Sequence, residues 1–175
     1  MKGIAKFEKV SYNQFRKDML DCFPGIEAYA VGLEKTLTEM YNNIKLPQRA
    51  TAGSAGYDFH IPYAALLTPG TFTKVPTGIR CKMEPGWVLH LYPRSGLGFK
   101  HGVRLTNTVG IIDSDYYNAK NEGHIMAMLN TDKEAKLADG QAFMQGVFLM
   151  YGVTADDAAD GVRTGGFGST DKQGV

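Results

Sequence analysis

The sequence predicts a mainly β domain, a compact barrel or sandwich, with a helical segment near the N-terminus. From about residue 46 the chain runs as short β-rich stretches, FTKVPTGIRCKM, GWVLHLYP, GVRLTNTVGII, GHIMAMLN and QGVFLMYGV, punctuated by glycine and proline turn signals. Between residues 11 and 45 the apolar residues instead recur with a period of about 3.6 residues. The 175 residues, 43% of them hydrophobic, suffice for one sizeable core and fall short of two full domains, so residues 1–175 read as a single domain.

Taken in order, Ser11 is a candidate N-cap, and Phe15, Met19, Leu20 and Phe23 form the apolar stripe of a first helix. Pro24 and Gly25 break it. The set Ile26, Tyr29, Ala30, Leu33, Leu37, Met40, Tyr41 and Ile44 resumes the same period and predicts a second helix. The segment 11–45 is expected to be a packed addition to the β body, with a partner-binding surface as the alternative. The strands follow without any internal repeat at a solenoid period. From Gly161 the chain ends in GVRTGGFGSTDKQGV, a glycine-rich stretch that buries too little apolar surface to offset its ordering entropy and is expected to be mobile when nothing is bound. Residues 161–175 read either as a floppy end or as a flexible lid. The lid reading rests on Arg163, Phe167, Ser169 and Thr170, a cation, a ring and two hydroxyls suited to closing on a phosphorylated aromatic ligand.

A net charge of +1 supplies no global attraction to nucleic acid or membrane surfaces. Cys22 and Cys81 stand far apart with no CxxC pairing, so reduced buried thiols are expected in place of a disulfide framework or a thiolate zinc site. No apolar run approaches the roughly 20 residues that span a bilayer, and MKGIAKFEKV lacks the apolar region of a signal peptide, which predicts a soluble cytoplasmic protein. His60, His90, His101 and His124 share no metal-site spacing and are expected at surface or hairpin positions. Trp87 is expected in the core or at a subunit interface, and DKEAK (132–136) in a solvated loop.

Two polar stretches carry chemistry. GIIDSDYYN (110–118) sets Asp113 and Asp115 one residue apart, where an extended strand projects both carboxylates to one face. Like charges at that spacing repel and are costly to desolvate, so the stretch is either a wet hairpin end or a site for something cationic or reactive. YPRSGLGFKHG (92–102) brings Arg94 and Ser95 into a glycine-rich turn whose backbone N–H groups can converge on an anion. PRSG by itself is a weak signal, because the same residues occur in plain turns.

In chain order, SAGYDF (54–59), PRSGLG (93–98), NTVGIIDSDY (107–116), GQAFMQ (140–145) and RTGGFGST (163–170) resemble the five ordered motifs of the trimeric dUTPase (deoxyuridine 5'-triphosphate nucleotidohydrolase) family. The resemblance covers about residues 46–171, and its third and fifth motifs are the most specific. It implies a jelly-roll-like β-barrel with residues 11–45 as a helical insertion, and a homotrimer with three active sites each assembled from three chains. The implied reaction converts dUTP and water to dUMP and pyrophosphate by attack at the α-phosphorus, with Mg²⁺ carried on the triphosphate and held through phosphates and water. Asp113 would activate the water and Gln145 would lie near it and the α-phosphate. Tyr116 would stand against the deoxyribose and leave no space for a 2′-hydroxyl. Asn107 would help hold the base, and the hairpin backbone around Gly110 and Ile112 would offer uracil its N–H and C=O partners. Arg94, Ser95 and Gly96 match the phosphate-binding turn. In the lid, Arg163 would meet the terminal phosphate, Phe167 would stack over uracil, and Gly168, Ser169 and Thr170 complete the motif, the two hydroxyls donating to phosphate oxygens. Asp58 would organise the metal–phosphate end through waters, a plain turn aspartate being the alternative.

The chain also departs from the family pattern. Ala142 stands where the fourth motif usually carries arginine, and Met144 where it carries a small residue, which alters phosphate or interface contacts. Asn118 replaces the glycine that closes the third motif and is followed by an extended AKNEG; asparagine tolerates the left-handed conformation, so a turn there remains feasible. The fifth motif is one residue shorter between Arg163 and GGFG and ends in Asp171. Two rival readings exist. A dCTP deaminase-like enzyme shares this fold family but uses a glutamate in the hairpin, where this chain has Asp113 with Tyr116; a dUTPase-like regulatory module would engage a protein partner through the helical insertion.

Overall fold

The computed structural model describes residues 3–26, 31–163 and 165–166. Strand β1 (Ala5–Lys9) leads to Ser11, whose hydroxyl accepts from the Gln14 amide at 3.1 Å and caps helix α1 (Tyr12–Cys22). The same residue reaches across the molecule. Its N–H and hydroxyl both donate to the Glu122 carboxylate, at 2.7 and 2.6 Å. Helix α1 stops at Phe23, and Gly25 turns the chain with φ 85°, as the Pro24–Gly25 break implies. Helix α2 (Leu33–Asn43) starts only after Gly32, at φ 82°, later than the apolar period resumes at Ile26. Tyr29 and Ala30 lie outside the described residues.

Phe15 and Met19 from α1, Leu37 from α2 and Ile44 beyond it join the same core as the strands, so both helices are packed parts of the body. Lys9 secures the end of α2 by donating to the carbonyls of Tyr41 and Asn42 at 2.8 and 3.0 Å, where helix-end carbonyls lack intrahelical partners.

Among the described residues twelve strands form four antiparallel sheets. The remaining strands are β2 (Gln48–Arg49), β3 (Tyr57–His60), β4 (Ala65–Leu67), β5 (Thr73–Pro76), β6 (Ile79–Met83) and β7 (Trp87–Pro93). Past a short helix come β8 (Arg104–Leu105), β9 (Gly110–Asp113), β10 (Met126–Asn130), β11 (Ala135–Leu137) and β12 (Ala142–Met150). The largest sheet has the order β2-β3-β12-β7-β9, flanked by β5-β10-β8, β1-β6 and β4-β11. Strand β6 shows the governing pattern: Ile79, Cys81 and Met83 point into the core while Lys82 faces water. Phe59, Leu89, Ile125, Leu129 and Phe143 complete a core from which water is excluded.

Three expectations change. DKEAK is only partly a loop: Asp132 pairs with both terminal nitrogens of Arg104 at 2.8 Å, and Ala135–Leu137 form β11, with Ala135 and Leu137 buried. His124, expected at a surface or hairpin position, is fully buried. Cys81 is buried and its thiol is pushed up to about 12 by that burial, whereas Cys22 is half-buried. Trp87 packs against the core, and among the described residues no helix is long and apolar enough to cross a membrane.

His124 owes its burial to α1. The Gly78 amide donates to Nε2 at 2.7 Å, so the proton sits on Nδ1, which donates to Asp18 Oδ2 at 2.5 Å; Gln14 Nε2 donates to the same oxygen at 2.8 Å. Gly78 adopts φ 72°, and a Cβ there would fall 2.2 Å from the Ile44 side chain, so only glycine lets this amide approach the imidazole.

Burial pushes the Asp18 carboxyl up, but the hydrogen bonds from His124 and Gln14 outweigh it and hold the group below its ordinary value. A carboxylate depressed by folding contributes stability that is complete above about pH 4 and is lost as pH falls through the lower folded value. Asp18→Asn should therefore melt below wild type at neutral pH, with the gap narrowing below about pH 4. Thermal melts across a pH series check this, and parallel acid limbs would remove the contribution from Asp18.

Candidate functional site

Strand register sorts the motif residues into two groups. Strand β12 places Gln145 opposite Asp58 on β3 and opposite Tyr92 on β7. Arg94, one residue beyond β7, brings Nη1 to 3.4 Å from Asp58 Oδ2. Ser95 and Gly96 then open α3 (Ser95–His101), so the expected turn is the first turn of a short helix. Both residues are exposed, and the first amides of a helix have no intrahelical partner, which leaves N–H groups free for an anion. The Gln145 side chain lies over Gly56, where a Cβ would sit 2.3 Å from Oε1. Met144 is fully buried, and the ladder between β12 and β3 is irregular between Ala142 and Met144.

The second group gathers toward the other end of β7. Strand β9 pairs with β7 so that Gly110 faces Leu91, Ile112 faces Leu89 and Asp113 faces Val88. A Cβ at Gly110 would stand 3.0 Å from the Leu91 side chain, a tight approach that a larger residue makes only if Leu91 shifts by a few tenths of an ångström. The strand ends at Asp113, and Ser114–Asn118 form a 3-10 helix. The two carboxylates therefore do not alternate along one strand. Arg163 holds them together instead: Nε donates to Asp115 Oδ1 at 2.7 Å, and Nη2 donates to Asp113 Oδ2. A shared cation relieves the repulsion of the two like charges. The Asp113 and Asp115 side chains remain 47% and 54% exposed, so each pair is worth about 0–1 kcal/mol and is easily exchanged for a ligand.

Tyr116 is buried, and Arg163 links it to these carboxylates. Its hydroxyl donates to the His124 carbonyl at 2.9 Å and accepts from Asn121 Nδ2 at 2.8 Å. Burial pushes the phenol up, which keeps it a neutral donor. The Arg163 guanidinium lies 5.9 Å from the ring centre, and Gly166 rests on the ring, where a Cβ would meet Cε2 at 2.6 Å. The next residue anchors the 3-10 helix to β1 and β6. Tyr117 donates to Glu8 at 2.6 Å, accepts from Arg80 and stacks under its guanidinium at 4.0 Å. Hydrogen bonds from Lys6 and Tyr117 lower the Glu8 carboxyl to about 2.

The stretch 107–116 is not a hairpin of two strands paired with each other. Strand β8 pairs with β10 and β9 with β7, joined by a turn in which Thr108 N donates to Leu105 O at 3.0 Å and Val109 N to Asn107 O at 2.7 Å. Asn107 is exposed there. Thr108 takes φ 67°, a conformation that costs a β-branched residue about 1–3 kcal/mol. Asn118 does not turn the chain; it ends the 3-10 helix, and Glu122 (φ 58°) and Gly123 (φ 68°) make the reversal. Gly123 is obligatory, since a Cβ would stand 2.7 Å from the Tyr116 carbonyl oxygen.

Within one chain the two groups do not meet. Asp58, Arg94 and Gln145 cluster around Tyr92, whereas Asp113, Asp115, Tyr116 and Arg163 cluster beyond Val88. Four residues of strand separate those register positions, about 13 Å at the usual rise. Phe167, Gly168, Ser169 and Thr170 lie outside the described residues. Among the described residues no three His, Cys, Asp or Glu side chains converge as a metal cage. The sequence reading assigns no role to Asp115, Thr108, Asp18 or His124; only Asp115 carried a signal, its spacing from Asp113.

A model of the dUTPase family matches residues 42–170. The deoxyuridine 5'-triphosphate nucleotidohydrolase of Lactococcus lactis subsp. lactis is 44% identical over 132 residues, 73% of this chain and 88% of that protein. The crystal structure of a dUTPase from Streptococcus mutans matches with a TM-score of 0.60 at 34% identity, covering 85% of this chain and 97% of that one. A Staphylococcus bacteriophage 80alpha dUTPase variant determined with dUpNHpp shares the fold at 14% identity, with a TM-score of 0.60 over 93% of this chain and 100% of that one. Helix α1 and all but the end of α2 lie upstream of the matched region, and β2 to β12 lie within it. Sequence and fold agree over the same stretch that carries the two clusters, and the chain belongs to the dUTPase family.

Proposed function

We propose that the protein hydrolyses dUTP to dUMP and pyrophosphate by attack of water on the α-phosphorus. One observation carries the reading: a half-exposed Asp113 ends β9 with Arg163 on one oxygen and the buried Tyr116 ring alongside. A carboxylate so placed can orient and deprotonate a water. The guanidinium can exchange its exposed carboxylates for phosphate oxygens, and a ring held by hydrogen bonds at its hydroxyl is a stiff wall for a sugar. The names of the relatives in Lactococcus lactis and Streptococcus mutans support the same substrate.

The active site is read as shared between subunits of a homotrimer. Asp58, Arg94, Ser95, Gly96 and Gln145 of one subunit would complete the Asp113 group of another, a reading supported by the separation of the two groups along β7. Phe167 would stack over uracil, with Gly168, Ser169 and Thr170 beside the phosphates, and Asn107, Gly110 and Ile112 would face the base. Asp58 and Asp113 carry arginine partners, and Mg²⁺ would arrive on the triphosphate, held through its phosphates and water, with Asp58 organising that end. When bound it would neutralise charge on the leaving pyrophosphate. The antiparallel sheets are read as a jelly-roll-like barrel, with α1 and α2 inserted between β1 and β2, in a cytoplasmic protein.

Asp113→Asn keeps the shape of the side chain but cannot take a proton. Turnover should fall by about 10²–10⁴-fold with dUTP binding nearly unchanged, measured as pyrophosphate release and calorimetric affinity. Wild-type-like hydrolysis would place the base elsewhere. Tyr116→Ala should raise UTP turnover relative to dUTP, because the smaller side chain admits a 2′-hydroxyl; an unchanged ratio of the two kcat/KM values would take sugar selection away from Tyr116.

A further inference from the structure

We propose that Asp18 and His124 are positioning residues for sugar selection, acting through Tyr116; this rests on the reading of Tyr116 as the wall against the deoxyribose. Among the described residues the Tyr116 hydroxyl has two partners, the His124 carbonyl at 2.9 Å and Asn121 Nδ2 at 2.8 Å. Both belong to one return turn. That turn is internally braced, with Gly123 N donating to Asn121 Oδ1 at 3.2 Å and His124 N to Asn121 O at 3.1 Å. Helix α1 then grips it at two points. Its cap residue Ser11 donates twice to Glu122, and Asp18, two turns further along, accepts from the His124 imidazole at 2.5 Å.

The imidazole has no freedom of its own. It is fully buried, the Gly78 amide occupies Nε2, and the Phe15 ring lies 6.5 Å away centre to centre. Moving the His124 backbone, and with it the anchor of Tyr116, therefore means breaking the bond to Asp18. A steric wall acts over small distances, and a shift of about 1 Å at a reacting or excluding group can change rates a hundredfold. Helix α1 lies upstream of the matched family region, so this support is supplied by a part of the chain outside that region. Asp18 and His124 touch neither reacting atoms nor sugar; they set where Tyr116 stands.

A role in stability alone would lower the melting temperature and reduce turnover of both nucleotides together. A positioning role changes their ratio. The experiment measures kcat/KM for dUTP and UTP, with melting temperatures, in the full chain carrying Asp18→Ala, Asp18→Asn, Tyr116→Phe, the Asp18→Ala/Tyr116→Phe pair, and Leu137→Ala as a buried control on β11. Asp18→Ala should lower the dUTP/UTP ratio about tenfold, the effect of one buried hydrogen bond. Asp18→Asn should restore it, because the amide oxygen still accepts from Nδ1. The pair should be no worse than Tyr116→Phe, since the hydroxyl is the route of the coupling. Leu137→Ala should melt lower with its ratio intact. The linkage is overturned by an Asp18→Ala enzyme that slows both substrates equally, by additive effects in the pair, or by a Leu137→Ala ratio that falls as far. A wild-type preference for dUTP that Tyr116→Ala abolishes and Asp18→Ala preserves sinks the linkage alone. A preference that survives Tyr116→Ala sinks the reading of the wall and the linkage with it.

Discussion

The imidazole of His124, buried and bonded on both nitrogens, is the contact on which the arrangement of helix, turn and site depends. One nitrogen reads the backbone of the turn before β6 and the other reads α1. Removing either partner from so dry a place leaves a polar group unsatisfied, at about 1–3 kcal/mol, a large share of the stability of a single domain. Two glycines make room for the arrangement: Gly78 brings its amide against the ring, and Gly123 lets the turn lie against Tyr116.

Charge is organised differently at the two ends of β7. At one end Arg94 and Asp58 face each other beside exposed helix amides, an arrangement that leaves positive character for an anion. At the other end two carboxylates share Arg163. In each pairing one partner is about half exposed and the bond is weak, so neither commits its side chains to a single arrangement. Rigidity resides elsewhere, in Tyr116 and Tyr117, which pin the 3-10 helix to the core and to β1.

What the sequence revealed depended on the distance over which each cause acts. The Ser11 cap, the Pro24–Gly25 break and the alternation in β6 are set by neighbours within a few residues, and they are visible in the chain. The five motifs were legible as an ordered set, yet their division between two ends of one strand emerges only from the pairing register. His124 reads as a surface or hairpin residue in the sequence because the partner that buries it lies 106 positions upstream. Strand β11 was hidden by its shortness, three residues in which only Ala135 and Leu137 face inward. A turn is feasible at Asn118 by local preference, yet the chain reverses at Glu122 and Gly123, where the packing of Tyr116 and Tyr117 decides.

The double attachment of α1 to the return turn has a consequence for how this chain can vary. A descendant that lost the helix would strand the Glu122 carboxylate and bury the His124 ring without its acceptor, while one that shortened the turn would leave Ser11 and Asp18 reaching for nothing. Each loss alone leaves the partner groups of the other half without their bonds, a cost that falls only when both change together. The N-terminal helix and the long turn, more than a hundred residues apart in the chain, are therefore energetically one unit, and a change in either is felt in the other.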